Sequence, residues 1–205
     1  MQIRLKTLLT GEQYVSQQAW RSASLLCCPL HPRGGCGFAR HGTYARLTPP
    51  GTRIARWYCP RGHCTFSLLP DCLAASWAGT LAELEAVVVA VERRGLSAAA
   101  DTLRPDIDLP GAMRWTRRRV KAVHATLERL KGLLPEALAG VAPLVLAFCQ
   151  VFAVEQVLAA MRAHAADWLP HLPPPFGLSP RGARGGGACA ALQHSVGPDP
   201  PPPLL

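Results

Sequence analysis

The spacing of apolar positions along this chain changes period as the chain proceeds, and each period predicts a different element. Ile3 and Leu5 alternate with polar neighbours, which predicts a short strand. Thr10 with Gln13 three residues on has the form of a capping box and predicts a short helix, so residues 1–24 read as a strand-and-helix extension. Strand-like runs at 42–47, 53–58 and 65–69 follow, in a stretch rich in Cys, Gly, Pro and aromatic residues. From Thr80 the period becomes helical. Thr80 with Glu83 is a second capping box, and Leu81, Leu84, Val87, Val88 and Val91 lie on one helical face running to about Arg94. Gly95 is the expected stop, and Ser97 the expected cap of a short helix over 98–103 that Pro105 ends. A connector over 106–110 leads to a long helix over 111–134. Pro135 and Pro143 punctuate the chain before a fourth helix over 144–168.

From Pro170 the composition shifts to Pro and Gly, with runs at 173–175, 185–187 and 200–203. Such a segment cannot bury enough apolar surface to offset its ordering entropy, and disorder is expected over 170–205. The most apolar stretch, 141–154, is interrupted by Pro143 and Gln150 and is too short to span a bilayer, so it reads as a buried helix and no membrane partner is expected.

The cysteines add chemistry. Six of the eight fall between Cys27 and Cys72, interleaved with His31, His41 and His63. Residues 1–9 lack the apolar core of a secretory signal, so a cytoplasmic location is expected, where thiols stay reduced and clustered Cys and His read as metal ligands. Zinc takes four N or S donors, often as two pairs on tight turns. Cys59-Pro-Arg-Gly-His63 spaces two donors four apart with Pro60 and Gly62 to allow the turn. Cys28-Pro-Leu-His31 has the shorter spacing, and Cys36-Gly37 has the form that ends a ribbon knuckle. The expected ligands are Cys28, Cys36, Cys59 and His63, with His31 and Cys64 as rivals and weaker claims for Cys27 and Cys72. The segment contains a single carboxylate, Asp71, and surplus donors, which points to a structural Zn2+ rather than a catalytic one.

Charge is the next constraint. With 22 Lys and Arg against 13 Asp and Glu, the formal charge is +9, which favours polyanions. The long helix carries Arg114, Arg117, Arg118, Arg119 and Lys121, with no acid before Glu128. Its apolar seam is Met113, Val120, Val123, Leu127, Leu130 and Leu134, near a heptad repeat that would also suit a homodimer. One face is therefore expected to be buried and another to meet double-stranded DNA. Arg40, His41, Arg46, Arg53 and Arg56 of the strands, near Tyr44 and Trp57, are further candidate contacts.

These residues resemble a bacterial zinc-ribbon family found at the N-terminus of insertion-sequence transposases and in stand-alone proteins. The resemblance lies in Cys36-Gly-Phe-Ala-Arg-His-Gly-Thr-Tyr-Ala-Arg46, Arg56-Trp-Tyr-Cys59-Pro and Thr65-Phe-Ser-Leu-Leu-Pro70. It is specific over about residues 28–73 and looser through Leu134. It implies a ribbon that helps a neighbouring helical domain engage DNA. Two departures stand out: the first knuckle is stretched by an insertion containing His31, and Gly62 stands where the family has Cys, leaving His63 to replace it.

The expectation is a small α+β chain. A zinc ribbon of short antiparallel strands over 25–75 precedes a helix-turn-helix-like region over 79–135, a C-terminal helix over 136–169 and a disordered tail. No catalytic residues are expected. After Asp71 no strand pattern can build the sheet that carries a transposase's acidic triad. Asp101, Asp106 and Asp108 fall in the helical connector, and the Gly run at 185–187 follows no strand. The expected function is non-enzymatic, zinc-dependent DNA binding, nucleoid-associated, with no small-molecule substrate. The alternatives are a protein-interaction module or a remnant of a mobile element.

Overall fold

The computed structural model describes residues 1–178 of the 205, in two compact units, Met1–Pro70 and Asp71–Leu178. The runs at 185–187 and 200–203 lie outside the described residues.

In the first unit, β1 (Gln2–Leu5), β2 (Ala39–Ala45), β3 (Arg53–Cys59) and β4 (Cys64–Pro70) form one sheet in the order β1-β4-β3-β2. β1 runs parallel to β4, and the β2–β3 and β3–β4 pairs are antiparallel. The expected N-terminal extension is therefore part of the same sheet. β2 begins earlier than its apolar pattern predicts, because a register shift between Arg40 and Thr43 lets the strand continue past His41 and Gly42. Between β1 and β2, the helix α1 (Gly11–Ser16) opens with the expected capping box of Thr10 and Gln13. It buries Tyr14, whose hydroxyl donates to the Arg53 carbonyl at 3.0 Å. Tyr14, Trp20, Ile54, Trp57, Phe66 and Leu68 form the core, while Phe38, Tyr44 and Tyr58 are half-buried.

The second unit is helical. α2 (Leu81–Arg94) starts at the Thr80–Glu83 capping box and buries Leu81, Leu84, Val87 and Val88, while Val91 is half-buried. α3 (Leu96–Leu103) starts directly after Gly95, one residue before the expected cap Ser97. α4 (Leu109–Leu133) is capped by Asp108, whose carboxylate accepts from the Gly111 N–H, and has Pro110 in its first turn. α2, α3 and α4 pack on one another. Along α4 the buried positions are Ala112, Thr116, Val123, Thr126, Leu127 and Leu130. The short α5 (Pro135–Leu138) follows.

The single fourth helix expected over 144–168 is instead broken into α6 (Val145–Phe152), α7 (Val157–His164) and a 3-10 turn (Ala166–His171). The helix α6 ends at Ala153, which is left-handed at φ 51°. The cause lies on α2, where Glu85 and Glu92 sit seven residues apart on one face. Glu85 accepts from the N–H groups of Val157 and Leu158 at 2.8 and 2.9 Å, and Glu92 from those of Val145 and Leu146 at 2.8 and 2.9 Å. Each carboxylate thus caps the N-terminus of one short helix, satisfying donors that a continuous helix would have bonded internally. His124 of α4 adds a 2.9 Å contact to Glu92. The disorder expected from Pro170 does not hold up to Leu178: Leu172, Phe176 and Leu178 are buried, and the Ala75 N–H donates to the Pro175 carbonyl. Among the described residues no single helix is long and apolar enough to cross a membrane, and the α6–α7 pair is bent by 68°.

The caps make acid stability testable. Burial raises Glu92, but His124 and the N–H groups of Leu146 and Val145 outweigh it and hold its carboxyl below the usual range. A depressed folded value contributes stability above the unfolded pKa of about 4.3 and loses it as pH falls through the folded value. Glu85 has the opposite sign: burial pushes it up, so its contribution is full at low pH and declines as pH rises through the raised value. Glu92→Gln is expected to cost about 2 kcal/mol at neutral pH and to flatten the acid side of the stability profile, measured by urea unfolding across pH. An unchanged acid limb in Glu92→Gln would remove Glu92 as its cause.

Candidate metal centre and basic helix

The loop between α1 and β2 and the end of β3 bring four donors together. Cys28, His31, Cys36 and Cys59 place their ligand atoms within 4.8 Å of one another. Cys28 and His31 face each other as an isolated bridge, and the His31 N–H donates to the Cys28 carbonyl at 3.1 Å, which curls Cys28-Pro-Leu-His31 into a knuckle. Gly37, at φ 67°, turns the chain after Cys36 in a conformation that suits glycine. Cys59 ends β3, and the Gly62 N–H of the following turn points at its Sγ from 3.2 Å.

His31 Nδ1 stands 3.7 Å from Cys28 Sγ and 3.4 Å from Cys59 Sγ. Donors placed tetrahedrally at about 2.0–2.3 Å from one ion leave sulfur and nitrogen about 3.5 Å apart, so the donor set fits a four-coordinate metal. The three cysteines are buried. Burial raises the Cys28 thiol, but hydrogen bonds from His31 and from the backbone at Leu30 and His31 bring it down to about 7. The Cys59 thiol is pushed up, mainly by burial. A bound cation would ionise all three thiols. Three thiolates and one imidazole are soft donors of the kind that select zinc over calcium or magnesium.

Three of the four ligands expected from the sequence are therefore in the cluster, and the fourth position belongs to His31 rather than His63. His63 sits in the β3–β4 turn, left-handed at φ 45° and exposed, with its N–H on the Pro60 carbonyl at 3.2 Å. Cys64, the other rival, is buried opposite Cys59 in the strand register but lies outside the cluster. Cys27 is exposed, and Cys72 belongs to the second unit. A side chain at position 62 would point into the centre: a Cβ there would stand 3.3 Å from Cys59 Sγ and 3.6 Å from His31 Cε1.

The arginines of the strands have partners within their own unit. Arg40 donates to the carbonyls of Trp20 and Arg21 at 2.6 and 2.8 Å and stacks 5.3 Å over Trp57. Arg53 Nε donates to Thr43 Oγ1 at 2.8 Å. Arg56 is buried, donating to the Thr43 carbonyl at 3.3 Å and lying 5.9 Å over Tyr44. Arg46 is half-buried, and His41 is exposed with its ring 5.6 Å from Tyr58. Alternation along a strand places such side chains on a face, but it does not reveal the carbonyls waiting there.

The basic helix differs. Arg114, Arg117, Arg118 and Lys121 are all exposed on α4, and among the described residues no carboxylate pairs with any of them. They occupy the N-terminal half of the helix, whose first turn holds no acid. With no acid beside them, these cations repel one another. Arg119 is the exception, folded back between Trp115 and Trp77.

No family model, no curated protein and no solved structure matches the chain.

Proposed function

We propose that this chain is a non-enzymatic, zinc-dependent DNA-binding protein related to the DNA-recognition part of transposases. In this proposal Cys28, His31, Cys36 and Cys59 hold a structural zinc, and α4 lies against the duplex. The observation that carries it is the exposed set Arg114, Arg117, Arg118 and Lys121 in the N-terminal half of α4, with no carboxylate paired to any of them among the described residues. Four neighbouring cations without a counterion repel one another, and an external polyanion turns that repulsion into attraction. The packing of α2 and α3 behind α4 supports a helix-turn-helix arrangement, with α4 as the helix that enters the groove. The zinc assignment rests on the soft donor set, and its role is structural because four protein donors leave no open coordination position.

A second copy docking along the α4 seam is less well supported. Val123, Leu127 and Leu130 are already covered within the chain.

The triple substitution Arg117→Ala, Arg118→Ala and Lys121→Ala tests the proposal. Each phosphate contact contributes about 0.9 to the slope of log affinity against log salt, so losing three lowers the slope by about 2.7 and weakens binding by about 100-fold near physiological salt. The readout is fluorescence anisotropy of a labelled duplex, with circular dichroism to show that the variant is folded. A folded variant with wild-type slope and affinity would rule out α4 as the DNA-facing helix.

A further inference from the structure

Four side chains of the second unit form a ladder. Arg104, at the end of α3, lies 5.1 Å over the Trp115 ring of α4. Arg119, one turn on, lies 3.6 Å from the centre of the same indole and 5.4 Å from that of Trp77. The order is Arg104, Trp115, Arg119, Trp77. Arg104 has a counterion, meeting Asp106 through two bonds of 2.7 Å. Arg119 has none among the described residues: its one hydrogen bond goes from Nη1 to the Trp115 carbonyl at 3.3 Å.

A guanidinium stacked between rings uses its faces and keeps its edge. The faces meet the indoles in cation–π contact, and the in-plane N–H donors that are not spent on the Trp115 carbonyl remain for an anion. The rotamer entropy that a free arginine loses on gripping an anion has already been lost here. Arg119 is only half-buried, so part of it is open to solvent. It is also strained electrostatically: burial first, then the charges of Arg118 and Arg104, bring its pKa down to about 10. A cation in that position gains more from an approaching anion than the solvated Arg114 or Arg117 does.

We infer that Arg119, clamped between Trp77 and Trp115 with Arg118 exposed beside it, is a phosphate-binding site that takes a backbone phosphodiester of the bound nucleic acid. The inference rests on the DNA-binding proposal and names its anchor. The exposed cations of α4 supply long-range attraction, and Arg119 supplies a fixed, bidentate contact that sets the position of the helix on the strand.

The test compares full-length Arg119→Gln and Arg119→Lys with wild type, each zinc-loaded, on a labelled duplex across a salt series. Arg119→Gln should lower the salt slope by about one and weaken binding about tenfold, whereas Arg119→Lys should keep the slope and bind several-fold more weakly than wild type for want of the planar fork. Wild-type slope in a folded Arg119→Gln overturns the inference and leaves the DNA-binding proposal standing. A wild-type protein that binds no duplex overturns both. If Arg119→Gln does not fold, indole emission decides. Duplex binding should change the emission of wild type, and the change should vanish in Trp77→Phe/Trp115→Phe. A change that persists undiminished there overturns the inference.

Discussion

With the proposed zinc bound at the four-donor cluster, Cys59→Ser is expected to release it and unfold the Met1–Pro70 unit. Cys59 joins the knuckle to the sheet: its sulfur is a donor, and its backbone ends β3. A unit of 70 residues buries a limited core, and a structural zinc adds an apparent free energy on the order of 10 kcal/mol to folding, so losing one thiolate loses most of the unit's stability. Metal content per chain and loss of near-ultraviolet circular dichroism are the readouts. The histidines separate the two ligand assignments. His31→Ala should lose the metal and His63→Ala should keep it. The reverse pattern would overturn the geometry described here. Position 62 offers a rescue. Cys36→Ala should bind metal poorly, and adding Gly62→Cys should restore it, because that side chain points at Cys59 and His31. The obstacle is Leu30 Cδ1, 2.7 Å from the new Cβ and at the end of a flexible side chain on the exposed knuckle.

Arg162→Met is expected to have the second large effect, on the other unit. Arg162 is 0% exposed, within the apolar α7. Its Nη1 donates to the Asp71 carbonyl at 3.1 Å and to the Leu73 carbonyl, and its Nη2 donates to the Phe176 carbonyl at 3.2 Å. One side chain thus ties α7 to the segment that enters the unit and to the segment that closes it. Methionine has similar length but leaves three buried carbonyls without these donors. Leaving buried carbonyls unpaired costs about 1–3 kcal/mol each, so about 3–5 kcal/mol in all. For a unit of this size that lowers the melting temperature by about 15 °C. Arg162→Lys should recover little, since one ammonium does not reproduce the fork. Thermal unfolding followed at 222 nm, near the helical minimum, reads all three proteins, and a melting point within a few degrees of wild type in Arg162→Met would show that the carbonyls find other donors.

Local signals in the sequence translated directly. Both capping boxes form where Thr10 and Thr80 predict them, and the α2 stripe is buried at Leu81, Leu84, Val87 and Val88. The density of Cys and His marked the candidate metal centre, and Cys28, Cys36 and Cys59 are in it. The differences arise from contacts that spacing cannot encode. His31 and His63 both stand at ligand-like intervals from a cysteine, and only the turn geometry, with His63 left-handed and exposed, separates them. The break at Ala153 depends on Glu85 and Glu92, more than 50 residues earlier, so the apolar run from Val145 reads as one helix. The prolines at 173–175 suggested a loose tail, but Leu172 before them and Phe176 and Leu178 after them are buried. The Arg119 ladder joins residues from three segments, and its sequence signal was only a tryptophan four residues before an arginine on a helix.

The most direct measurement is binding of double-stranded DNA across a salt series by zinc-loaded and chelated protein side by side. Affinity that requires zinc and falls steeply with salt is the expected result, since phosphate contacts release counterions. One zinc per chain with no binding at low salt would contradict the proposed function.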